Sequence, residues 1–169
     1  AARLLGALPE AVREAWLDAL PAANARELRA LLAYPEGTAG RLMESRFPTF
    51  RGDWTTGRAL ERVRGLPAGA FGTLYLVDGD NRLAGRVDLR DLAVADPRTL
   101  LADLARPTES VSEFAHGEET LESLRQQGAA SLPVVDDDGR LVGVLRQGAL
   151  LSAVQEEASG DLPAMVGAS

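Results

Sequence analysis

The pattern of apolar and polar positions in this chain is written twice. Residues 74–92 read as a short apolar run, a polar turn, a second apolar run broken by glycine, and then a helical spacing. Residues 132–150 repeat that order without a gap, pairing Val77 with Val135, Asp78 with Asp136, Asp80 with Asp138 and Arg82 with Arg140. Leu83 then meets Leu141, Gly85 meets Gly143 and Leu92 meets Leu150. Two apolar runs around an Asp-rich turn predict a β-hairpin, with strands at about 74–77 and 83–87 and again near 132–135 and 141–145. Helical spacing upstream of each copy, at 58–64 and 119–126, makes the unit helix, strand, strand, helix. Entering strands are expected at about 47–50 and 111–114. In the first copy the helix from about 56 to 64 should bury Leu60 and Val63, with Asp53 or Thr55 as its cap. Such a unit cannot cover its own sheet alone and should pack on its twin, so the fold class is α+β, a mixed α/β tandem.

Ahead of the repeat, Leu8-Pro9 and Leu20-Pro21 each open a short helical pattern, because proline suits the first helical turn. The first helix, about 9–19, carries Val12, Trp16, Leu17 and Leu20 on one side. The second, about 22–33, uses Leu28, Leu31 and Leu32. Short Pro-started helices at near-regular spacing predict the end of a helical superhelix. Between the copies, Asp96-Pro97 and Arg106-Pro107 bracket a short helical stretch that reads as a linker. The tail, 155–169, continues the last helix with Glu156, Glu157 and Asp161 and ends in small residues.

Composition narrows the function. A formal charge of −7 argues against general nucleic-acid binding and favours a surface that attracts cations. With no cysteine there is no disulfide, thiolate metal site or cysteine nucleophile. His116 is the one histidine and precedes Gly117 in an expected turn, so neither a triad nor a histidine zinc site has partners. No catalytic constellation is visible, and the chain is not expected to be an enzyme. The run Asp136-Asp137-Asp138-Gly139 resembles a cation site, yet it is also what a tight hairpin turn requires, as is Asp78-Gly79-Asp80-Asn81. No apolar run is long enough to span a bilayer. The chain begins with alanine inside a helical pattern and reads as part of something longer.

The tandem hairpin-helix units, with Leu132-Pro133-Val134-Val135-Asp136 in the second, resemble a pair of CBS domains. Tyr34-Pro35-Glu36-Gly37-Thr38-Ala39-Gly40-Arg41-Leu42-Met43 lies directly before that pair and after the Leu-Pro helices. The three parts in this order closely resemble the cytosolic region of MgtE-type magnesium transporters, over nearly the whole chain. The resemblance implies a pseudo-symmetric regulatory module. It divides the chain into the helical end of an N domain (1–46), a first CBS domain (47–100), a second CBS domain (101–158), and a connecting helix toward a membrane domain (159–169).

It also implies site residues. Nucleotide-binding CBS domains often carry glycine, then serine or threonine, then an aspartate that bonds ribose hydroxyls. Gly85, Asp88 and Asp91 stand at these positions in the first unit, and Gly143, Arg146 and Ala149 in the second. Asp91 is therefore the expected ribose ligand. Regulatory Mg²⁺ is expected on acidic positions: Glu118, and Glu157 and Asp161 one helical turn apart. Ala149, Ser152, Gly160 and Gly128 stand where the transporters tend to carry acids. The implied partners are a second copy, through helix faces around Leu60, Val63, Leu121 and Leu124, and a transmembrane pore, at the cytoplasmic face of the membrane. The alternative is an adenosine-nucleotide-sensing CBS adaptor of another protein. A dimerisation module would need neither ligand.

Overall fold

The computed structural model describes residues 5–67 and 72–160, the last five as backbone only. Two helices open it, α1 (Glu10–Asp18) and α2 (Ala22–Leu32), each entered through a proline. Arg29 on α2 ties them together, donating to Glu14 at 3.0 Å and Asp18 at 2.8 Å. Leu17 is fully buried, whereas Trp16 is 61% exposed and Val12 44% exposed. The expected apolar side of α1 is thus only partly used. Neighbouring helical residues point about 100° apart, and here Leu17 faces the interior while Trp16 faces away from it.

A single turn, α3 (Ala39–Leu42), leads to β1 (Thr49–Arg51), α4 (Thr56–Arg64), β2 (Thr73–Val77), β3 (Leu83–Asp88) and α5 (Leu89–Val94). The second unit repeats this: α6 (Leu101–Leu104), β4 (Val111–Ser112), α7 (Gly117–Gln127), β5 (Ser131–Val135), β6 (Leu141–Arg146) and α8 (Gln147–Gly160). Thr55 caps α4, accepting from the Arg58 amide at 3.3 Å. Asp53 is engaged elsewhere: Arg51 donates to it at 3.1 Å and holds its carboxyl below the usual range. Gly128, in the left-handed region at φ 58°, ends α7.

Each unit is a three-stranded sheet in which the entering strand runs parallel to the hairpin's first strand. Both hairpins carry a bulge at the same place, between Leu76 and Val77 and between Val134 and Val135. Their turns are built alike. Asp78 Oδ1 accepts the amides of Asp80 and Arg82, and Asp136 Oδ1 accepts those of Asp138 and Arg140, all at 2.9 Å. The Arg82 amide, with that of Asp80, keeps the Asp78 carboxyl below its ordinary range. These aspartates serve turn geometry. The hairpins meet reciprocally, Leu83 N donating to Gly139 O and Leu141 N to Asn81 O, both at 3.0 Å. Positions 83 and 141, like 81 and 139, are equivalent in the repeat, so an approximate two-fold axis passes between Arg82 and Arg140.

The units also exchange their leading segments. Residues 39–44 precede the first unit but pack on the second: Ala39 N donates to Ala115 O, Gly40 N to Glu113 O, and Glu44 exchanges amide bonds with Val144. Residues 101–106, read from the sequence as a linker, do the converse. Leu101 N donates to Trp54 O, Ala102 N to Gly52 O, and Arg106 exchanges amide bonds with Arg86. The cores follow this crossing. Leu101 is buried with Phe50, Ala59, Leu74, Leu76, Val87 and Leu92. Ala39 and Met43 are buried with Leu31, Leu121, Leu124, Leu132, Val134, Leu145 and Leu150. Tyr75, Val77, Leu141 and Val144 fill the space between the sheets.

Leu121 and Leu124 are buried inside the chain, in the core they share with Leu132, Leu145 and Leu150, and are not free for a second copy. Leu60 and Val63 remain only half-buried against the first core. Among the described residues no helix is long and apolar enough to cross a membrane.

Candidate ligand site in the first unit

The exchanged segment 101–106 brings Arg106 to β3 and the start of α5. Arg106 is fixed by its backbone, its amide donating to Arg86 O at 2.8 Å and its carbonyl accepting from Arg86 N at 2.9 Å. Gly85, beside it on the bulge, has φ +148°, and a methyl there would stand 3.0 Å from Arg106 O. Only glycine satisfies both conditions. From this anchor the Arg106 guanidinium reaches across to α5 and donates to Asp91 Oδ2 at 2.7 Å. Asp88, at the end of β3, lies 3.9 Å from Arg106 Nη1 and 3.8 Å from Arg86 Nη1. Asp91 is therefore one member of a group of two carboxylates and two guanidiniums.

The second unit has the same backbone and different side chains. Glu44 occupies the position of Arg106 and pairs with Arg146 at 2.9 Å, so the charges are reversed. Ala149 leaves no carboxylate where Asp91 stands. Met43 stands where the first unit has Ala105, and it lies over Gly143: a methyl added there would be 2.9 Å from Met43 Cβ. Met43 is buried against Gly143, whereas the smaller Ala105 stands beside Gly85. The two halves of the pseudo-symmetric pair thus differ in volume as well as charge.

The acidic positions are placed less closely. Glu118 sits in the first turn of α7 and is exposed, as is its neighbour Glu119. The Glu157 side chain and Asp161 lie outside the described residues. Among the described residues no group of three or more histidine, aspartate and glutamate side chains could hold a metal ion. His116 is exposed and its carbonyl accepts the Thr120 hydroxyl at 2.8 Å.

Arg86, Arg106 and Met43 were not singled out from the sequence. Aligning the repeat backward beyond the hairpins, so that 43 meets 105 and 44 meets 106, was the available signal. It was weak because the exchanged segments share almost no residues.

Two hairpin-helix units related by an approximate two-fold axis, each completed by the other's leading segment, are a CBS-domain pair. The CBS domain family model matches residues 39–98 and 101–156, and the chain belongs to that family. Its similarity extends beyond the pair. The protein named magnesium transporter MgtE from Thermus thermophilus is 34% identical over 148 residues, covering 86% of this chain and 33% of its own length. The chain spans about a third of the length of the curated relatives it matches. Among solved structures, the soluble part of a magnesium transporter superposes with a TM-score of 0.85 at 29% identity, covering 93% of this chain and 62% of that one. The cytosolic domain of the Mg²⁺ channel MgtE in complex with ATP superposes with a TM-score of 0.80 at 34% identity, covering 84% and 58%.

Proposed function

We propose that this chain is the regulatory part of a magnesium transporter of the MgtE kind, sensing Mg²⁺ and closing an attached membrane pore. Likeness to the soluble part of a magnesium transporter over 93% of the chain, more than the CBS pair alone spans, carries the proposal. In it, residues 1–46 end an N domain, 47–100 and 101–158 are the CBS domains, and 159–169 lead to the membrane domain. The module works as a homodimer at the cytoplasmic face of the membrane, and its action is conformational rather than catalytic.

Carboxylates suit the ion, since Mg²⁺ takes oxygen ligands, keeps much of its water, and needs only one or two acids per ion. Glu118, accessible on α7, and Glu157 and Asp161 on the tail are the proposed ligands. In a chain of charge −7, acidic surfaces on neighbouring domains repel one another when the ion is scarce. Each close pair costs about 1 kcal/mol in water. Several weak sites acting together are therefore required, with millimolar sensitivity. Protease protection of the chain in MgCl₂ and in NaCl at matched ionic strength tests the idea. Protection specific to Mg²⁺ and weakened by Glu118→Gln, Glu157→Gln and Asp161→Asn is expected. Equal protection by Na⁺ would sink it, because screening alone does not separate the two ions.

A second ligand is favoured by the unequal halves of the pair. The first unit keeps a carboxylate at Asp91 and a small residue, Ala105, beside Gly85, and the second keeps neither. An adenosine nucleotide bound once per chain, with Asp91 on the ribose, follows from that difference. It is also the site through which the adaptor reading would work. Calorimetry with ATP tests it: two equal sites, or unchanged affinity in Asp91→Ala, would remove it.

A further inference from the structure

The carboxylate proposed for the ribose already has a partner: Arg106 holds Asp91 at 2.7 Å. We infer that Arg106 is a latch on the nucleotide site, one that makes it select for phosphorylated ligands. This rests on the nucleotide reading of the first unit. A ribose hydroxyl that takes Asp91 Oδ2 must displace the guanidinium from it, so a ligand held there that offers Arg106 nothing in return competes with a bond built into the fold. A nucleotide phosphate offers a new partner. Guanidinium binds phosphate with the paired, planar geometry it uses for carboxylate. Arg106 can make that exchange because its backbone is locked to Arg86 by two amide bonds while its side chain is 58% exposed. Arg86 stands beside it, 3.8 Å from Asp88, and adds a second cation on the same side.

The second unit supports a role for this position. The equivalent residue is Glu44, which pairs with Arg146 through the same crossing of the exchanged segment. Both units therefore place a charged side chain from the exchanged segment across the mouth of the bulge. Only in the first does that side chain cover a carboxylate, and only there is the neighbouring residue of the exchanged segment a small one, Ala105, where the second unit has Met43.

The test is binding of adenosine and of ATP to the full chain, without divalent ions so that metal effects stay apart. The wild type, Arg106→Gln and Asp91→Ala are compared, with circular dichroism as a folding control. Arg106→Gln should bind adenosine at least as tightly as the wild type and ATP more weakly, so the ATP-to-adenosine preference falls about tenfold, about 1.4 kcal/mol. Arg106→Lys, which keeps charge but not the fork, should fall between. A preference unchanged in Arg106→Gln, with Asp91→Ala still abolishing both, overturns the latch and leaves the site. If Asp91→Ala leaves both affinities intact, or if no variant binds either ligand, the nucleotide site itself fails and the latch with it.

Discussion

Replacing Leu101 by alanine asks which unit a residue belongs to. By sequence Leu101 opens the second unit. In space it is fully buried in the first, packed with Phe50, Leu74, Leu76 and Leu92, and its amide is bonded to Trp54 O at 2.8 Å. Truncating a wholly buried leucine removes its transfer free energy and leaves a cavity that neighbours fill only in part. The expected cost is about 3 kcal/mol, within the roughly 2–5 observed for such changes. Hydrogen exchange resolved by segment is the assay, because sub-global openings show where stability is lost. Amides of β2, β3 and α4 should lose protection first. Met43→Ala, a cost of about 2–3 kcal/mol, should produce the reverse pattern, weakening β5, β6 and α7. If Leu101→Ala weakens the second sheet as much as the first, or costs under about 1 kcal/mol, the exchanged-segment account of the cores is wrong.

Other outcomes follow from single contacts. Gly143→Ala forces Met43 aside and should cost about 1–3 kcal/mol, and Met43→Ala should relieve much of that in a double-mutant cycle read from urea midpoints. Tyr34 donates to Glu113 Oε2 at 2.6 Å, and burial together with that carboxylate pushes its hydroxyl up to about 12. Because the folded value is raised, this contribution is whole below the unfolded value near 10 and is lost as pH climbs through about 12. Tyr34→Phe should therefore lower stability by about 1 kcal/mol at neutral pH and remove that alkaline loss, and an unchanged alkaline profile would contradict the assignment. Leu17→Ala should cost about 2–5 kcal/mol, whereas Trp16→Ala, one residue away on an exposed face, should change stability by less than about 0.5 in thermal melts. A Mg²⁺ site of millimolar affinity should add about 1.4 kcal/mol at ten times its Kd, read as a saturable rise in melting temperature absent from the Glu157→Gln, Asp161→Asn variant.

The local structure of this chain was legible in its residues. Alternating apolar runs around Asp-rich turns specify hairpins, because a strand's side chains must alternate faces and the turn must satisfy its own amides, as Asp78 and Asp136 do. A cap at Asp53 or Thr55 and the pairing of the two units came from the same kind of pattern, whereas Asp91 as a candidate ligand came from the resemblance to CBS domains. What the sequence left open is which sheet a short segment covers. Ala39-Gly40-Arg41-Leu42 and Leu101-Ala102-Asp103-Leu104 are single helical turns, too short for periodicity to point anywhere, and only the two-fold packing of the units sends each to the other's core. That crossing puts Arg106 on Asp91 and Met43 on Gly143, and the packing of the second unit buries Leu121 and Leu124, which a helical wheel would offer to a partner. Hairpins and caps are decided by groups a few residues apart. Contacts between distant positions, such as Arg106 with Asp91, depend on how whole sheets pack, and that was settled only in three dimensions.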